Sequence, residues 1–211
     1  MEKKMRVVKE AEERKNEILD AAERLLSVKG YDGTSTGDIL DAVGIARGTL
    51  YYHFRSKEEI LDAMIDRMMG EMTAQAKMLA LRTEIPVLQR FTMVITSLNV
   101  EGDLGLEVMK QIHRPQNALM HRKIQERLLS DITPVLAGLV EEGIRQGICR
   151  TDYPTETVEM TLLYANTVFD DLVEYSEEER QKKMAAFIYN LERLFQMEKG
   201  SMLEVVLPLV Q

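Results

Sequence analysis

Residues 36–57 read TGDILDAVGIARGTLYYHFRSK, and the spacing of their apolar side chains predicts two short helices joined by a tight turn. Ile39, Leu40 and Val43 mark one apolar face, Gly44 interrupts it, and Ile45 returns the chain to the core. Leu50 and Phe54 then mark a second helix over about Arg47 to Phe54. A glycine followed by an apolar residue is a helix stop, because glycine takes positive φ at little cost. Two helices across a turn of about 3–4 residues form a helix-turn-helix, whose second helix enters the DNA major groove. Around Leu50 and Phe54 that second helix carries Arg47, Thr49, Tyr51, Tyr52 and His53, a dense set of hydrogen-bonding groups for its length. Arg55 and Lys57 follow at its end, where phosphate would lie.

On these residues a resemblance can be stated. GIARGTLYYHFRSKEEIL, residues 44–61, resembles the recognition helix and fourth-helix start of the TetR family of bacterial transcription regulators. The run from Gly48 to Glu59 is long and specific. The sequence departs from the family at Ala46, where Ser or Thr is frequent; alanine at an N-cap costs about 1 kcal/mol. The resemblance implies an all-α protein with an N-terminal three-helix helix-turn-helix DNA-binding domain over 1–57. A larger helical ligand-binding and dimerisation domain would follow over 58–211. It further implies a homodimer on a double-stranded operator, a small-molecule effector, and DNA contacts from Thr36, Arg47, Gly48, Thr49, Tyr51, Tyr52, His53 and Lys57. Arg47 can read guanine or bind phosphate, and only the first carries sequence information. Tyr51 and Tyr52 can bond phosphates or lie against sugars and thymine methyls, and one of them can instead pack inward.

Charge distribution agrees with a small reader joined to a different kind of body. The formal charge is −8, yet residues 1–57 hold 11 Lys/Arg against 10 Asp/Glu, while the rest holds 16 against 25. The second part, at −9, would be repelled by DNA. Sparse Gly (12) and Pro (5), no Trp, and an abundance of Leu, Met, Ala, Glu, Lys and Arg predict helices throughout. The single cysteine, Cys149, excludes an internal disulfide and suits a reducing cytoplasm. The opening MEKKMRVVKEAEERK has charge without the apolar centre of a signal peptide, and no apolar run is long enough for a membrane span. A soluble, cytoplasmic protein is expected.

Upstream of the turn, Ile18, Ala22 and Leu25 set the stripe of a half-buried helix over about 8–28, stopped at Lys29–Gly30, with Tyr31 as a plug. Ser35 and Asp38 stand at capping-box spacing, and Ser56 precedes Glu58 and Glu59 as the N-cap of a fourth helix reaching about Leu81. Beyond it, amphipathic helices are predicted over about 84–99, 103–113, 116–146, 154–175 and 177–197, with a kink possible at Pro134. Val158, Leu162, Ala165 and Phe169 form one seam of the 154–175 helix, and Thr161, Tyr164 and Val168 form a second line. A helix apolar on more than one side is covered twice. By the resemblance, the last two helices pair with their copies, so Val158, Leu162, Phe169, Phe187, Leu191 and Leu194 are candidate dimer contacts; one large monomeric core is the competing reading.

The remaining candidates concern an effector. Methionine fills irregular space, so Met64, Met68, Met93 and Met109 are candidate ligand contacts, with His113 and the polar pair Asn166 and Asp170. Ordinary core filling explains any one methionine equally well, and Asn166 can serve a ligand or a dimer partner. His113, His121 and Cys149 match no zinc spacing, Cys149 is a lone thiol, and no nucleophile elbow, phosphate loop, dinucleotide fingerprint or H-E-x-x-H occurs. Neither a metal, a cofactor nor catalysis is predicted. The apolar stretch 202–210 is left without a role.

Overall fold

The computed structural model describes residues 2–98, 118–169 and 175–202, with side chains from residue 10 onward. All regular structure among them is helical: α1 Glu2–Gly33, α2 Thr36–Val43, α3 Arg47–His53, α4 Lys57–Ala80, α5 Val87–Leu98, α6 Ala118–Arg145, α7 Pro154–Val168 and α8 Glu177–Leu194. The helix expected over 103–113 and the tail after Met202 lie outside the described residues.

Local chemistry explains the bounds. α1 bends at Gly30, whose φ of 74° and ψ of 171° break the helical run where the sequence put its end. Tyr31 to Gly33 add a short turn, held by the Thr34 hydroxyl donating to the Gly30 carbonyl at 2.8 Å. α2 opens on a complete capping box between Ser35 and Asp38. It closes at Gly44 (φ 70°, ψ 37°), where the amides of Gly44 and Ile45 both donate to the Leu40 carbonyl. α3 starts at Ala46 with no side-chain cap. At the head of α4 the Ser56 hydroxyl accepts from the Glu59 amide, and the Glu59 carboxylate accepts from the Arg55 amide at 2.6 Å. α6 runs through Pro134 as one helix.

The chain forms two compact units, the boundary falling at Met68–Met69 inside α4 and at Ile124–Gln125 inside α6. In the first, Ile18, Leu19 and Ala22 of α1, Ile39 of α2, Leu50 of α3, Phe54, and Ile60, Leu61 and Met64 of α4 are buried. Arg67 of α4 ties this unit to α1 through Asp20 and Glu23, at 2.7 and 2.9 Å. In the second, Val87 and Val94 of α5, Ile132, Leu136 and Leu139 of α6, Val158 and Leu162 of α7, and Leu191 and Phe195 form the core.

Candidate nucleic-acid interface and the faces of the helical unit

α3 is short, and its two anchors decide which side it shows. Leu50 and Phe54, one turn apart, are buried, so the opposite side faces out. Arg47, Gly48 and Tyr51 are exposed, Tyr52 is 80% exposed, and Thr49 and His53 are half-buried. Arg47 lies over the Tyr51 ring, 5.5 Å from its centroid. Arg47 first, and then Thr36, hold the Tyr51 phenol below its ordinary pKa. Thr36, at the start of α2, is half-buried in this group. The Tyr52 and His53 rings meet edge to face at 5.1 Å. The outward side thus presents one guanidinium, two phenols and a bare backbone patch at Gly48. It can donate to phosphates and base edges and stack on sugars.

Lys57 points differently from the other residues of this set. Its ammonium donates to the Tyr31 and Thr34 carbonyls at 2.8 and 3.0 Å and sits 4.1 Å from the Tyr31 ring centroid. It therefore braces the α1–α2 connection against the start of α4. One N–H remains for phosphate. Nearby, Lys123 of α6 bridges Asp62 and Glu58 of α4 at 2.7 and 3.0 Å, and both carboxylates raise its pKa, Asp62 first.

Of the expected dimer contacts, Val158, Leu162 and Leu191 lie in the core of the second unit. Phe169 and Phe187 are half-buried in an aromatic cluster with Tyr164, which stacks on Phe187 at 5.5 Å and 11°. Leu194 is 43% exposed. The uncovered apolar side of α7 and α8 consists instead of Met160, Leu163, Tyr164, Tyr189 and Leu194. Of the second line expected on α7, Tyr164 is exposed while Thr161 and Val168 are half-buried, and Met160 and Leu163 belonged to neither expected line.

The effector candidates that are described fall in both units. Met64 and Met68 belong to the first unit and Met93 to the second; Met64 is buried while Met68, Met93 and Asn166 are half-buried. Met109, His113 and Asp170 lie outside the described residues. Two hollows among the described residues of the second unit are lined by none of these candidates. One is apolar, among Val87, Phe91, Leu139, Cys149, Phe195 and Met202, and holds about 30 Å³, room for one water. Burial there raises the Cys149 thiol pKa. The other is an open groove of about 410 Å³ between α4 and α6.

A buried charged centre went unpredicted. Arg90, 2% exposed, donates to the Ala80 carbonyl at 2.7 Å, to the Ile85 carbonyl at 2.9 Å, and to Glu142. It closes the C-terminal end of α4 and joins α5 to α6, and it lowers the pKa of Glu142. Its one sequence signal was an arginine on the apolar stripe of Val87 and Val94. Among the described residues no His/Cys/Asp/Glu group is placed to hold a metal, and no helix is long and apolar enough to cross a membrane.

Comparison with known proteins adds the following. Residues 18–64 match the family described as bacterial regulatory proteins, tetR family, and residues 102–190 match the tetracyclin repressor-like C-terminal domain. The fatty acid metabolism regulator protein of Bacillus subtilis is 29% identical over 135 residues, 62% of this chain and 68% of that protein. The biofilm operon negative transcriptional regulator IcaR of Staphylococcus epidermidis is 52% identical over 46 residues, 22% of this chain and only 25% of its own length. The crystal structure of the regulator FadR from Bacillus subtilis in complex with stearoyl-CoA shares the fold. Its TM-score is 0.54 at 23% identity, covering 85% of this chain and 96% of that one.

Proposed function

Since the chain belongs to the TetR family of bacterial regulatory proteins, we propose that it is a cytoplasmic, homodimeric repressor that a small ligand releases from a double-stranded operator. Residues 1–57 read the DNA; residues 58–211 bind the effector and form the dimer. The observation that carries the reading is the outward side of α3, where Arg47, Tyr51 and Tyr52 stand exposed while Leu50 and Phe54 anchor the helix. The negative regulator among its relatives supports repression, and the stearoyl-CoA complex supports control by a small molecule.

The dimer follows from the uncovered apolar side of α7 and α8. Leu163, Tyr164, Tyr189 and Leu194 leave water when a second copy covers them, and a two-fold dimer matches a palindromic site. Control is a matter of differential affinity. A ligand preferring the geometry that does not fit DNA weakens operator binding by the same factor by which operator weakens ligand binding. The chain acts by binding, not by catalysis. A second reading, a regulator governed by a protein partner or needing no inducer, is favoured by the one-water size of the apolar hollow.

The test is selection of duplexes from a random pool by the full-length protein, followed by titration at fixed salt. Arg47→Ala and Tyr52→Ala should each weaken the selected duplex by about 1–3 kcal/mol while leaving the melting temperature in place. Selection of no duplex, or equal affinity in both variants, would overturn the proposal.

A further inference from the structure

We propose that Arg47 reads a guanine in each half-site and that Tyr51 is the residue positioning it; this rests on the DNA-binding reading above. Arginine at a duplex can donate to phosphate or to a base edge, and the surroundings of Arg47 favour the second. In a helix-turn-helix the opening residues of the second helix meet base edges, and Arg47 is the first residue of α3.

The guanidinium is tied to Tyr51. One turn separates the two residues, so their side chains share one strip of the outward side. The guanidinium carbon sits over the Tyr51 ring, 5.5 Å from its centroid. Arg47 is also the largest influence holding the phenol below its ordinary pKa, and Thr36, half-buried at the start of α2, is the next. Tyr51 therefore links the start of α2 to the guanidinium on α3. A guanine asks for such an arrangement. Its O6 and N7 take two N–H groups side by side, so the fork must arrive in the plane of the base. A guanidinium already stacked on a ring has fewer orientations to give up on binding. A phosphate, with oxygens on several sides, sets no such single plane.

Neighbouring groups divide the remaining work. Tyr52, 80% exposed, and Arg55, exposed just beyond α3, lie outside the Arg47–Tyr51 pair and suit phosphates. Lys57 donates to the Tyr31 and Thr34 carbonyls, and Lys29 pairs with Asp38. Gly48 stands next to Arg47, and nothing lies within 4 Å of where a side chain would project from it. The fold itself therefore does not demand a glycine there. A bare backbone at that point lets α3 come close enough to a duplex for Arg47 to pass the phosphates and reach a base edge.

The probes are the duplex that full-length protein selects from a random pool and copies of it altered at one guanine at a time, in both half-sites. Each guanine is replaced by adenine and by deazaguanine, which lacks only the N7 acceptor, and affinity is read at fixed salt and across a salt series. At one guanine both replacements should weaken wild type about tenfold or more and leave Arg47→Ala unaffected. Preference for that same guanine should also be lost in Tyr51→Ala and Tyr51→Leu. Combining Arg47→Ala with Tyr51→Ala should lower the preference no further than Arg47→Ala alone. Being a ratio of two affinities, the preference does not move when a variant is merely less stable, and melting temperatures confirm that each variant is folded. Equal weakening of every duplex by Arg47→Ala, with the salt slope lowered by about 1 per half-site, would put Arg47 on phosphate and overturn the proposal. Full guanine preference in both Tyr51 variants overturns it as well. Either result, obtained on a selected duplex, leaves the regulator reading standing, whereas selection of no duplex removes both.

Discussion

The recognition helix α3 and the body helix α7 both bury one side and expose the other, and the exposed sides differ in kind. α3 turns Leu50 inward and shows a guanidinium and two phenols. α7 turns Val158 and Leu162 inward and shows Met160, Leu163 and Tyr164. The buried sides are nearly interchangeable as chemistry, aliphatic groups at helical spacing. What lies opposite separates them: hydrogen-bonding groups suit the edges and backbone of a duplex, and an apolar strip suits another protein surface. Partner type is thus carried by the uncovered half of each helix.

The largest effect should come from the body's inner charge. Arg90→Ala strips two carbonyls and Glu142 of their donor, and loss of one member of such a buried pair costs about 3–5 kcal/mol. Chemical denaturation should show that loss, and a drop below 1 kcal/mol would mean that apolar contacts alone hold the body. Next come two adjacent leucines, 6% and 50% exposed. Leu162→Ala should cost about 2–5 kcal/mol of stability, whereas Leu163→Ala should change monomer stability by less than about 0.5 kcal/mol and weaken self-association in sedimentation. Equal effects in both assays would erase the distinction between the two sides of α7. In the head, Ala46→Ser supplies the missing cap of α3 and should add about 1 kcal/mol in thermal melts. No gain would show that packing of Leu50 and Phe54 already fixes the helix start.

The smallest effect concerns acid. Lys29 first, then the Ser35 hydroxyl and amide, hold Asp38 well below the usual carboxylate range. A depressed folded pKa stabilises above the unfolded value of about 3.9 and is lost as pH falls toward the folded one. The stability gap between wild type and Asp38→Asn should therefore be widest near neutral pH and narrow below about pH 3.9. A gap that is flat across this range, followed by circular dichroism, would remove Asp38 from the acid response.

The head was legible because its chemistry is local. Gly44 can stop α2, Ser35 can cap it, Ala46 cannot cap α3, and each statement needs only a few neighbouring residues. The burial of Val158 and Leu162 was not legible for the opposite reason, since it depends on α6 and α8, distant in sequence. Lys57 shows what local reading leaves out within the head, since carbonyls 23 and 26 residues upstream hold its ammonium.

That grip by Lys57 has a mechanical meaning. The first residue of α4 is pinned to the bend leading out of α1, with Tyr31 wedged beneath the charge. A pull on α4 then tows the bend and the short helices after it as a single plate. The seam itself is held by two backbone carbonyls and one ring.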